Sequence, residues 1–310
     1  VDQMTPLSPV LADGTQIWRI THSGVDTHPV HFHLYDVQLI NRVGWDGIIR
    51  KPDPNELGWK DTVRISPLED TIVAFRPLVP NIPWDLPNSV RLLDPSQPEG
   101  VLLTDTGMAI FDPSGQPVQI TNHFVNFGWE YVWHCHILSH EEMDMMRPQA
   151  LGVRPRTPSN LFGTLSGTGA SRVMNLTWSD NSLNETSFTV QRATSTAGPW
   201  TNLIVLPANT TTYGDPIGDT TQTYVYRVFA SNTVGDTAVY AASIGFPTET
   251  MNSEFSNVFT QLPAAPSNLT ASVFRIGQRI RVRLNWVDNA NNETGFTIQR
   301  STSLNFTTNL

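Results

Sequence analysis

The sequence predicts an all-β protein built from successive β-sandwiches, and three observations carry that expectation. Its apolar segments are short and rich in β-branched or aromatic residues. Glycine and proline together make up 43 of 310 residues, enough to punctuate those segments with turns but too few for collagen or general disorder. A long stretch of the second half recurs at a fixed offset of 108 residues, which marks duplicated modules rather than one large domain.

Along the chain, Thr15–Thr21, Val30–Ile40, Thr62–Ile65 and Thr71–Arg76 predict strands separated by Gly, Pro and Asp turns. Pro77–Pro98 predicts a proline-punctuated loop, and Trp129–His134 a further strand. One or two helical turns are expected within Ile137–Met146, stopped by Pro148. Pro148, Pro155 and Pro158 then mark a linker. Beyond it, PSNL at 158–161 recurs at 266–269, and LTWSDNSLNETSFTVQRA at 176–193 recurs as LNWVDNANNETGFTIQRS at 284–301. Eleven of those 18 positions are identical without a gap, so the second half is read as a repeated sandwich with Trp178 and Trp286 in its two cores. The expected boundaries are 1–152, 153–263 and 264–310, the last too short to complete a sandwich, so the chain is expected to be truncated at that end and by the same token at its start.

Composition removes several functions. Residues 1–150 carry 19 acids against 9 bases, which argues against nucleic acid, a partner that needs a basic footprint. No apolar run is long enough to span a membrane as a helix. A single cysteine excludes an internal disulfide framework. Six Asn-x-Thr triplets, at Asn175, Asn184, Asn209, Asn268, Asn292 and Asn305, suit a secreted glycoprotein, although Asn/Thr-rich β-domains generate them by composition.

All eight histidines and the cysteine lie in the first 140 residues. Six of the histidines form two clusters, His28-Pro-Val-His31-Phe-His33 and His134-Cys135-His136-Ile-Leu-Ser-His140, the latter followed by Met145. In extended chain, residues two apart share a face and neighbours oppose one another. His31 and His33 therefore point together, as do His134 and His136, while Cys135 points the other way. Cys135, His28 and His140 with a weak axial Met145 make the set of two imidazoles and one thiolate suited to a blue-copper centre. The opposite face offers imidazoles alone, which suit copper or zinc. A structural histidine cluster, a zinc site of one cysteine and three histidines, and a single-copper electron carrier fused to adhesive modules are the competing readings. The first two fit this composition and spacing poorly, and the third leaves four imidazoles without a role.

Residues 1–150 resemble the C-terminal cupredoxin domain of a multicopper oxidase, in HPVHFH (28–33), GWKDTVRI (58–65), the Pro-rich stretch 77–98 and WHCHILSHEEMDMMRP (133–148), the last similar to bacterial spore-coat laccases and bilirubin oxidases. The Leu-x-Trp strand, Thr-Tyr-x-Tyr-Arg-Val (223–228) and the Ala-Ser-Asn-x-x-Gly turn (230–235) resemble a fibronectin type III module. The expected fold is thus a Greek-key cupredoxin sandwich followed by one complete and one truncated fibronectin-like sandwich.

The first resemblance implies that His28, Cys135, His140 and Met145 bind a type 1 copper, His31 a type 2 copper, and His33, His134 and His136 a type 3 pair. Small reducing substrates, whether phenols, pigments or low-valent metal ions, would give single electrons to the first site. The segment around Cys135 would pass them on, and O2 would be reduced to water at the cluster. Glu141, the acid following the last type 1 histidine, would assist proton delivery. Four His-x-His pairs build such a cluster in the family, and this chain holds two. The missing ligands are expected from an absent N-terminal cupredoxin region or a second chain, leaving these residues alone inactive as an oxidase. An extracellular, periplasmic or cell-surface location follows from the family. The C-terminal modules would space the enzyme or bind a surface, protein or carbohydrate partner.

Overall fold

The computed structural model describes residues 15–106, 116–218, 222–238, 248–263, 265–290, 293 and 295–303. The architecture is all-β with a single short α-helix among the described residues. The first strands are β1 (Gln16–His22), β2 (His28–Phe32), β3 (Tyr35–Gly44), β4 (Ile49–Arg50), β5 (Thr62–Ile65), β6 (Glu69–Pro77), β7 (Val90–Leu92), β8 (Phe124–Asn126) and β9 (Trp129–Cys135). The helix α1 (Leu138–Glu142) and β10 (Met146–Leu151) follow. The chain divides into two compact units, the first made of Val1–Arg156 with Ser182–Ser187 and Ala230–Ser253, the second of the remaining segments.

In the first unit, two four-stranded sheets, β1-β6-β3-β4 and β10-β9-β2-β5, form a sandwich. Phe32 of β2 stacks on Phe75 of β6 at 6.2 Å, and Trp18 of β1 meets Trp133 of β9 edge-on at 5.7 Å. Val30, Val37, Val63 and Val73 fill the space between these rings. The alternation seen in sequence explains this arrangement: Val30 and Phe32 face the core, and the histidine between them faces away. A buried ion cluster fixes the β3–β4 end of the first sheet, where Arg42 contacts Glu56 at 2.7 Å and Glu69 at 3.1 Å.

Several details depart from the sequence expectations. Val30–Ile40 is two strands, because the chain reverses at Leu34, a residue with φ of 58°. The Pro77–Pro98 segment includes β7, whose Val90–Leu92 pairs with β8. The helix ends at Glu142 rather than reaching Met146, since Met146 opens β10 and pairs with His134. Met143, just after the helix, is 82% exposed.

The later strands are β11 (Ser159–Ser166), β12 (Val173–Ser179), β13 (Ser187–Ala193), β14 (Thr201–Pro207), β15 (Thr212–Pro216), β16 (Val225–Gly235), β17 (Thr248–Asn252), β18 (Phe259–Thr260), β19 (Ser267–Ile276) and β20 (Arg279–Val287). In the second unit β12 lies between β11 and β15, and Trp178 packs on Phe188 within a core that includes Leu176, Val190 and Val228. The expected turn at 230–235 is instead the end of β16, because Ser231–Gly235 pairs with Thr248–Asn252 of β17. Asn232 is fully buried there, and its amide donates to Val153 O.

Asn184, one of the Asn-x-Thr positions, is 2% exposed and donates to the same carbonyl, so it offers no surface for a glycan. Asn292 and Asn305 lie outside the described residues. Trp286 is only half-buried, contrary to the core position expected of it. Strand β19 pairs with β20 in a two-stranded sheet, and no second sheet covers Trp286 among the described residues.

Candidate metal centre

Strand pairing brings the two histidine clusters together. In the β2–β9 ladder Val30 lies opposite Cys135, His31 opposite His134 and Phe32 opposite Trp133. The ladder continues past both strand ends, since His136 N donates to Pro29 O at 2.8 Å and His33 N to Val132 O at 3.0 Å. Alternation then sorts side chains from both strands onto opposite faces of one sheet.

The first donor set is His28, Cys135 and His140. His28 Nδ1 lies 3.4 Å from the Cys135 Sγ, His140 Nδ1 lies 3.7 Å from it, and the two nitrogens are 3.2 Å apart. A point equidistant from these three atoms sits roughly 2 Å from each, about the length of a metal–imidazole bond. Cys135 is free and 1% exposed, and Ile137 N donates to its sulfur at 3.4 Å. Helix α1 returns His140 to the thiol, its first turn closed by His140 N donating to Ile137 O. Met145 is anchored beside the set through its backbone: its N–H donates to His140 O, and its O accepts from Cys135 N. Its side chain is in part exposed.

The second set is His31, His33 and His134, whose donor atoms lie within 4.8 Å of one another. His33 Nε2 and His134 Nε2 are 3.1 Å apart. The His136 ring joins them, with its centroid 4.7 Å from that of His134 and 5.2 Å from that of His31. Outer partners set which nitrogen is available. His31 Nδ1 donates to Asp61 O at 2.9 Å, with Thr62 Oγ1 at 3.2 Å, leaving Nε2 as its lone-pair nitrogen. His134 Nδ1 faces Cys135 O at 3.1 Å and Glu141 Oε2 at 3.4 Å, which leaves its Nε2 directed at His33. The first set thus presents Nδ1 atoms beside a thiol, and the second presents Nε2 atoms.

Electrostatics favours neutral, ligand-ready imidazoles. Burial, then His22 and His140, lowers the His28 pKa against the opposing pull of Asp26. Burial, then His31, His134 and His136, lowers that of His33. A buried thiol with two imidazoles fits a blue-copper site, and a cluster of imidazoles fits copper bound by nitrogen alone.

A family model described as multicopper oxidase matches residues 2–84. This segment is therefore similar to a multicopper oxidase domain. A laccase of Haloferax volcanii is 30% identical over 147 residues, covering 47% of this chain and 17% of the relative. A laccase of Bacillus subtilis is 26% identical over 147 residues, covering 43% and 20%. The chain therefore spans about a fifth of the length of these relatives. Among solved structures, a multicopper oxidase from Aquifex aeolicus overlaps 44% of this chain and 19% of its own, at 21% identity and a TM-score of 0.26.

Beyond the donor atoms, the two sets have outer residues to which no sequence motif points. Asp61 and Thr62 serve His31 because β5 pairs with β2 and puts Thr62 opposite His31. His22 packs its ring edge-on against His28 at 4.8 Å, and Asp26 Oδ2 lies 3.8 Å from His140 Nε2. Proximity to His28 in sequence was the only available signal for the last two. His123, the remaining histidine, is tied to Asp236 at 3.0 Å and takes no part in either set.

Proposed function

We propose that residues 1–152 form the C-terminal cupredoxin domain of a laccase-like multicopper oxidase, holding a complete type 1 copper site and half of a trinuclear cluster. The observation that carries this reading is the division of adjacent residues in β9. Cys135 joins His28 and His140 on one side, and His134 joins His31 and His33 on the other. A lone electron carrier needs the first set only, and a structural zinc site would gather these ligands on one ion.

When bound, copper would supply one-electron chemistry at the first set and reduction of O2 to water at the second. Cys135 supplies the thiolate, with His28 and His140 as the imidazole pair and Met145 as the weak axial donor. The exposed side of His140 is the edge open to a small reducing substrate, of the phenolic, pigment or low-valent metal class. Cys135 is covalently continuous with His134, and its carbonyl accepts from the same ring, so two short connections join the donor sets. His31 serves the type 2 position, and His33, His134 and His136 the type 3 pair. Glu141 Oε2 lies 3.4 Å from His134 Nδ1, a position suited to proton delivery where O2 is consumed.

The two His-x-His pairs here account for half the imidazoles of such a cluster, so the others come from outside these 310 residues, in a further cupredoxin region or a second chain. Residues 153–263 and 264–310 are read as fibronectin-like modules that space or attach the enzyme, and the location as extracytoplasmic. No helix among the described residues is long and apolar enough to cross a membrane.

The test is copper titration of the chain. One equivalent giving the intense blue thiolate-to-copper absorption, with O2 consumption appearing only once the remaining ligands are supplied, supports the proposal. A colourless complex, or a complete assembly that holds a single copper, overturns it.

A further inference from the structure

We infer that the turn between β1 and β2 is a built outer layer of the cysteine site, with Asp26 as the positioning residue for His140. This rests on the copper reading above. His140 turns Nδ1 toward the thiol, which leaves Nε2 pointing outward, and Asp26 Oδ2 lies 3.8 Å from that nitrogen. The separation is that of an ion pair rather than a hydrogen bond, so the carboxylate acts on the ring through its charge.

Asp26 is held in place by its own backbone. His22 Nε2 donates to Asp26 O at 2.6 Å, and Gly24 N donates to His22 Nδ1 at 3.3 Å. A Cβ at Gly24 would lie 2.8 Å from His22 Cε1, so any larger residue there would have to push the His22 ring aside. The same ring stands edge-on against His28. One short turn therefore reaches both imidazoles of the cysteine site, His28 by ring contact and His140 by carboxylate.

A carboxylate beside the outer nitrogen of a metal-bound imidazole makes the ring a stronger donor through its charge. Its negative charge also favours the metal state of higher charge. Asp26 therefore stabilises cupric over cuprous copper at this site and lowers its reduction potential. No family ligand pattern in the sequence includes this residue, which stands two positions before His28.

The experiment measures cupric and cuprous affinities of the full chain, together with the blue absorption, in Asp26→Asn, Asp26→Glu and Asp46→Asn. Asp46→Asn removes the same charge from a surface pair with Arg50. Asp26→Asn is expected to lower the cupric-to-cuprous affinity ratio about tenfold. Asp26→Glu restores most of that loss, and Asp46→Asn leaves the ratio unchanged. Equal effects of Asp26→Asn and Asp46→Asn, or no effect of Asp26→Asn on a blue wild-type protein, would overturn this inference while leaving the copper reading intact. A wild-type chain that forms no blue centre removes both.

Discussion

Cys135 and His134 are neighbours in β9 and serve different donor sets. The thiol lies 3.4 Å from His28 Nδ1, and His134 Nε2 lies 3.1 Å from His33 Nε2. The two sets are thus separable by mutation even though the backbone joins them. Cys135→Ser is expected to abolish the blue absorption of the copper-loaded chain, whereas His31→Ala retains it and, once the remaining cluster ligands are supplied, loses copper from the second set. Absorption spectra with copper counts on both variants decide this. Equal loss of colour in a folded His31→Ala protein contradicts the division.

Copper retention should depend on pH in a defined direction. Metal binding requires neutral imidazoles, and protons compete for the same nitrogens. Burial and neighbouring histidines lower the His28 and His33 pKa values from the ordinary 6.5, so both rings are neutral above that value and gain a proton only below it. In the Cys135→Ser variant, which has no thiol proton to release, apparent copper affinity is therefore expected to be nearly flat from mildly alkaline pH down to 6.5 and to fall as pH drops further through the lowered values. The same sign applies to the metal-free fold: their contribution to stability is present above 6.5 and is lost on acidification. A titration followed by equilibrium dialysis checks this, and a steep fall already above about pH 7 would contradict it.

The cysteine set was legible because period-two alternation fixes which side chains share a face before any tertiary contact is known. Cys135 opposes His134 for that local reason, and His28 lies on the face of Val30 and Phe32. The pairing of His31 with His134 was not legible, since register between distant strands is set by the packed sandwich. Asp26 and Thr62 escaped for the same reason: a turn and a neighbouring strand bring them to the site, with no motif of their own. The overextended helix and the supposed turn at 230–235 share another cause. Residues read as helix or turn from local pattern were drawn into strands by partners elsewhere in the chain, as when Met146 pairs with His134 and Ser231 with Asn252.

The Arg42 cluster makes a stability prediction. Arg42 binds Glu56 through both terminal nitrogens, and this contact holds the Glu56 pKa at about 2 despite its burial. A depressed carboxylate pKa contributes stability above its unfolded value of 4.5 and loses it as pH falls toward 2. Glu56→Gln is therefore expected to cost about 2–3 kcal/mol at neutral pH and nearly nothing near pH 2. Denaturant unfolding of wild type and variant at both pH values gives the comparison. A loss that is constant with pH would assign the effect to packing.

Gly128 separates conformational strain from collision. It adopts φ of +63° just before β9, and a Cβ there would lie 2.2 Å from Leu151 O, the residue with which it forms a parallel bridge. Gly47 has a similar φ of +76° with nothing within 4 Å of its imagined Cβ. Gly47→Ala should cost only the left-handed penalty, roughly 1–2 kcal/mol. Gly128→Ala adds a backbone collision that can be relieved only by moving β10 away from β9, and about 3 kcal/mol or more is expected. Because β9 carries both Cys135 and His134, the second variant should also weaken copper binding at both donor sets, whereas the first should not. Urea midpoints and copper affinities for the two variants test the argument, and equal losses would show that backbone conformation alone, and not the approach of Leu151, makes glycine necessary at position 128.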